Sequence, residues 1–88
     1  MQSKQVMANV PHNYLYHAEI VYETKEGFGL ANAMGNTMKE LIDDINDRFL
    51  WYADRQPQLL EVLFEPNGEK IDITHKIRTI LNKGDYNG

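Results

Sequence analysis

The sequence predicts a small α+β domain: an antiparallel sheet of three to four strands with two helices, in the order ββα(ββ)α. Three observations carry this. Apolar and aromatic residues alternate with polar ones from Tyr14 to Glu23, the period-2 pattern of a half-buried strand. A glycine turn leads straight into a second strand, and a single apolar stripe at helical spacing begins at Met38. Connections this short make the strand pairs antiparallel hairpins, and helices laid over one face of such a sheet give a layered α+β fold.

The elements follow in order. Residues 1–13 have little periodicity and contain Pro11, so they read as a loose N-terminal arm ahead of a single domain over 14–84. In the first strand Tyr14, Tyr16, Ala18, Ile20 and Tyr22 share one face. Thr24-Lys25-Glu26-Gly27 is a turn, with Gly27 free to adopt positive φ. The second strand runs over Phe28 to Met34. Its Gly29, Ala31 and Ala33 are small enough for a helix to lie close.

Gly35-Asn36 breaks that strand, and Thr37-Met38-Lys39-Glu40 matches a capping box. Met38, Leu41, Ile42, Ile45, Phe49, Tyr52 and Ala53 then form one stripe of a long helix. Gln56-Pro57 ends it, because the residue before proline is pushed out of the helical region. Leu59 to Glu65 is a third strand, apolar on both faces and suited to the sheet interior: Leu59 and Leu63 on one side, Leu60, Val62 and Phe64 on the other. Asn67-Gly68 signals a turn, and Lys70-Ile71 starts a short fourth strand. Asp72 caps a second helix whose buried stripe is Ile73, Ile77, Ile80 and Leu81. Asn82-Lys83-Gly84 ends that helix, and residues 85–88 are a tail.

Composition narrows the function classes. A chain of 88 residues holds one domain, and a domain of this size buries only roughly 60% of its unfolded surface, so a partner or a second copy adds to its stability. There is no cysteine, which favours a reducing compartment and hence the cytoplasm. The N-terminus lacks the apolar run of a signal peptide, and no stretch reaches the roughly 20 apolar residues of a membrane helix. The net charge of -4 argues against general nucleic-acid binding. The charge is unevenly spread: from Glu19 to Glu69 acids outnumber bases 11 to 4, whereas Lys70, Lys76, Arg78 and Lys83 face only Asp72.

Catalytic chemistry has no foothold. The only serine is Ser3, in the arm, and the threonines fall in turns and helices, so no nucleophile stands beside a base. His12, His17 and His75 are far apart. His17 and Glu19 share a strand face but make only two of the ligands a metal needs. Gly27-Phe28-Gly29 precedes a strand rather than opening a helix, so it is no phosphate cradle. The acids of the long helix lack the alternation of a calcium loop. The expectation is a protein without enzymatic activity, metal or cofactor.

One feature breaks the local pattern. On a helical wheel Trp51 falls nearly opposite the apolar stripe, with Glu40, Asp43, Asp44, Asp47 and Asp54 around it. A mismatch of this kind tends to mark a functional site, and tryptophan is enriched at interface hot spots. Two readings stand side by side. Trp51 is either covered by Val6, Met7 or Val10 of the arm or by the second helix, or it faces a partner. A partner-facing acidic helix suits a basic protein surface. Carboxylates standing in for phosphates would make the domain an inhibitor of a nucleic-acid-handling complex, of the anti-defence type carried by phages and mobile elements. The alternatives are a nucleic-acid-binding module, using Tyr14, Tyr16 and Tyr22 to stack on bases, and a homodimer that hides an uncovered apolar face of the third strand.

Overall fold

The computed structural model describes residues 14–83; the expectations for the N-terminal arm, Gly84 and the tail lie outside them. Four strands form one antiparallel sheet, and two helices cover one of its faces. The elements are β1 (Tyr16–Thr24), β2 (Gly27–Gly35), α1 (Met38–Trp51), a 3-10 turn (Ala53–Arg55), β3 (Gln58–Phe64), β4 (Ile71–Asp72) and α2 (Thr74–Lys83). The strand order is β2-β1-β3-β4, so β2 is a sheet edge and β1 lies in the interior. This is the expected α+β fold, with the fourth strand present and only two residues long.

The hairpin of β1 and β2 closes through Lys25-Glu26, with Gly27 at φ +136°, a conformation that L side chains rarely adopt. Ala33 pairs with Ala18, and Gly35 with Tyr16. These small residues let α1 settle onto the strand. A Cβ on Gly35 would lie 2.5 Å from the backbone nitrogen of Leu41. Thr37 caps α1 as predicted: its hydroxyl accepts from the Glu40 amide at 3.1 Å. The returning carboxylate of Glu40 accepts from the amide of Asn36 at 2.8 Å, one residue earlier than the standard box places it.

The core lies between the helices and the covered face of the sheet. Ile20, Val62, Leu41, Ile42, Ile45 and Ile77 are fully buried there, with Ala18, Ala33 and Leu59 beside them. Tyr16 stacks on Phe64 with ring centroids 4.6 Å apart, and Tyr22 stacks on Tyr52 at 4.1 Å. The tyrosine face of β1 is therefore the covered one.

Two expectations need correction. Strict alternation puts Leu59 on the face opposite Val62, yet both are in the core. The register explains this: Glu19 pairs with Glu61 but Ile20 with Leu59, so Leu60 is an inserted bulge residue. Leu60 is left exposed, and every β3 residue before it changes face relative to simple alternation. The apolar stripe of α1 also stops short of Ala53, which is exposed in the 3-10 turn. There the amide of Arg55 bonds the carbonyl of Tyr52 at 2.8 Å, tightening the chain. Gln56, at φ +52°, then turns it left-handed ahead of Pro57.

Thr74 is the buried polar group of the second half. Its hydroxyl accepts from the Val62 amide at 2.9 Å, while the Ile73 amide bonds the Val62 carbonyl at 2.9 Å. The start of α2 thus continues the ladder where β4 ends. Asp72 caps this start, accepting from the hydroxyl and the amide of Thr74. The hydroxyl bond first, and the amide bond second, hold the Asp72 carboxyl below its ordinary 3.8. A carboxyl depressed on folding stabilises the fold above its unfolded value and loses that contribution as the pH falls through its folded value. Urea unfolding midpoints measured from pH 6 down to pH 2 are expected to fall less steeply in Asp72→Asn than in the wild type. Parallel curves would show that this carboxylate adds nothing to acid sensitivity.

Candidate functional site

The helix α1 carries five of the six residues that the sequence singles out, and the structure sorts them. Trp51 is 74% exposed and its neighbour Leu50 77% exposed, so among the described residues neither is covered by α2 or by the sheet. The suggestion that arm residues Val6, Met7 or Val10 cover Trp51 lies outside the described residues. The acids do not form a ring. Asp54 belongs to the 3-10 turn beyond the helix, and Glu40 sits in the first turn, about 20 Å away along the helix direction at a rise of 1.5 Å per residue.

Most of these acids already have work within the fold. Glu40 closes the N-terminal cap. Asp43 pairs with Lys39 at 2.7 Å, which raises the Lys39 ammonium above its ordinary 10.5. This exposed i,i+4 pair contributes little to stability. Asp44 reaches off the helix and accepts the backbone amide of Met34 in β2 at 2.9 Å; Arg48 lies 3.9 Å away on its other side. Only Asp47 and Asp54 make no ion pair or hydrogen bond among the described residues. The part of the predicted surface that is free for a partner is therefore Trp51 with Asp47, flanked by Leu50.

The bond from Met34 to Asp44 also orients the edge of the sheet. Antiparallel strands alternate residues whose N–H and C=O point to one neighbour and residues whose groups point to the other side. With the Met34 amide pointing outward to Asp44, the groups of Phe28, Leu30 and Asn32 point outward too. They meet no partner among the described residues. The side chains of these residues lie on the uncovered face of the sheet, where Phe28 is 75% and Leu30 59% exposed. The small residues facing the helix do not reveal this edge; the alternate register, Phe28, Leu30, Asn32 and Met34, carries the signal in the sequence.

On the far side, β4 pairs with only two residues of β3, and the rest of that margin of β3 is largely occupied. Beyond the bonds of Ile73 and Thr74 to Val62, the Arg78 guanidinium donates to the carbonyl of Leu59 at 2.9 Å and to that of Leu60 at 3.4 Å. One of the four basic residues from Lys70 to Lys83 is thus committed to the margin of β3.

Among the described residues, no catalytic chemistry converges elsewhere. His17 Nε2 lies 3.0 Å from the Tyr14 carbonyl and 3.8 Å from Glu65, not beside a nucleophile. No group of three or more His, Cys, Asp or Glu among the described residues is placed to hold a metal. An open groove of about 670 Å³ lies between the hairpin tip, Glu23 to Glu26, and Asp54 and Arg55; its lining is polar and of both signs. No helix among the described residues is long and apolar enough to cross a membrane. No family model, curated protein or solved structure matches the chain.

Proposed function

We propose that this chain is a small non-enzymatic binding protein that engages a basic protein surface through the acidic outer side of α1. The observation that carries the reading is an exposed tryptophan, Trp51, on the same side of the helix as the carboxylate of Asp47, which is unpaired among the described residues. A large aromatic ring contributes contact area at little entropic cost, and nearby negative charge orients a positive partner. The nucleic-acid alternative is less well supported, because Tyr16 and Tyr22 stack on Phe64 and Tyr52 under the helices rather than standing open to bases. An acidic strip facing a basic groove fits an inhibitor of a nucleic-acid-handling complex, of the kind phages and mobile elements carry, acting in the cytoplasm.

The test is affinity capture from the heparin-retained fraction of a cell lysate, which is rich in such partners. Trp51→Ala combined with Asp47→Lys is expected to keep the wild-type unfolding midpoint, since both positions are exposed. It is expected to lose the captured protein, and nucleic acid is expected to displace that protein from the wild type. Equal capture by both forms would remove the acidic helix from consideration. Salt-sensitive binding of an oligonucleotide by the protein alone would favour the nucleic-acid alternative.

A further inference from the structure

We infer that the free edge of β2 accepts an extended basic segment as a fifth strand, with its lysine or arginine side chains under α1 and its apolar side chains on the open face. The inference rests on the acidic-helix reading and adds the mode of binding to it.

The first ground is the edge itself. β2 is nine residues long and carries no charge and no proline. Exposed edges normally carry such devices, because unpaired N–H and C=O groups are a template for another strand. Here the outward groups of Phe28, Leu30 and Asn32 are unpaired among the described residues, whereas on the opposite side Thr74 and Arg78 occupy β3 and the edge strand β4 is only two residues long.

The second ground is what stands above the edge. Asp44, Asp47 and Trp51 span about 60° of the helix circumference, and Asp44 marks that flank as the one beside the edge, because it bonds Met34. α1 runs back over β2 after a two-residue turn. Seven residues of helix and three of strand each cover about 10 Å, which sets Trp51 above the edge near Ala31. On this face β2 offers only Gly29, Ala31 and Ala33. The Tyr22 ring of β1 lies over Gly29, 2.6 Å from where a Cβ would stand, but at Ala31 and Ala33 no bulky side chain of the strand screens an incoming residue from the carboxylates. On the other face Phe28 and Leu30 offer an apolar strip.

These two faces define the occupant. A residue placed directly opposite Leu30 bonds its outward groups and shares its face. Apolar residues therefore suit those positions, and cations suit the alternate ones, beside Asp47 and the Trp51 ring. A second copy pairing through β2 is disfavoured. Antiparallel pairing about a twofold axis keeps both helices on one side of the joined sheet and sets their acidic flanks against each other.

The probe is a labelled nine-residue peptide alternating lysine and valine, with binding read by anisotropy at low ionic strength. The wild type is expected to bind it and to ignore the glutamate–valine counterpart. N-methylation of the valine amides, which face β2, is expected to weaken binding roughly tenfold or more through the lost hydrogen bonds. N-methylation of the lysine amides, which face away, is expected to be tolerated. Leu30→Pro removes an outward N–H while sparing the ladder to β1, and is expected to weaken binding comparably. The methylated peptides leave the protein unaltered, so the result does not depend on how that variant folds. No binding by the wild type, or equal binding of both methylated peptides, overturns strand addition. If methylation has no effect but Trp51→Ala, Asp47→Lys still weakens binding, only strand addition falls. If that double variant also binds as the wild type does, the acidic-helix reading falls with it.

Discussion

Gly35→Ala is expected to lose about 3 kcal/mol of folding free energy, the upper end of what overpacking costs. The added Cβ would lie 2.5 Å from the Leu41 nitrogen and 2.9 Å from both the carbonyl carbon and the Cβ of Glu40. Two of these neighbours are helix backbone and cannot rotate away. Relief requires α1 to lift from β2, and that lift separates Leu41 and Ile42 from Ala33, all three fully buried. It also pulls Thr37 and Glu40 from their capping positions. Urea unfolding of the variant checks this. A midpoint within error of the wild type would mean that the strand–helix corner yields at little cost.

Ile20→Ala is expected to cost a similar amount, about 3–4 kcal/mol, as a truncation of a fully buried residue. Ile20 lies in the interior strand β1, flanked by Ala31 on β2 and Leu59 on β3, with no exposure. Ala31 is too small to fill the space, so most of the cavity persists. A chain of this length has roughly 4–13 kcal/mol of stability in total, and the loss corresponds to a fall in Tm of roughly 15 °C or more. Leu30→Ala is the control, at 59% exposure one register position away on the open face. Calorimetry on the pair separates the two faces of the sheet. Equal losses would mean that the open face is covered.

What was legible in the sequence was whatever is decided locally. The Thr37 cap, the α1 stripe from Met38 to Tyr52, the Gly27 turn and the Asp72 cap each need only a few neighbouring residues, and each is where the pattern puts it. What was not legible depends on contacts distant in the chain. Leu59 and Leu60 are identical residues, so nothing local says which is inserted; the register with Glu19 and Ile20 decides. Thr74 looks like any helical threonine until the Val62 amide, twelve residues back, arrives at its hydroxyl. Asp44 has the composition of a solvated helix face, yet it closes part of a sheet edge. The wheel angle put Trp51 on the outer side of α1 but left open whether another element covers it; its 74% exposure needs the fold. The uneven commitment of the acids around it needs the fold too, because it depends on where β2 passes beneath them.

The occupation of β3 by Arg78 and Thr74 makes the two sides of the sheet unequal as templates. A sheet open at both edges can be extended by copy after copy, which is how strand pairing propagates into filaments. Here the far side offers only β4, two residues long, which is too short to template a strand as long as β2. Head-to-tail stacking of one copy's β2 on the next copy's far side therefore has no matching template.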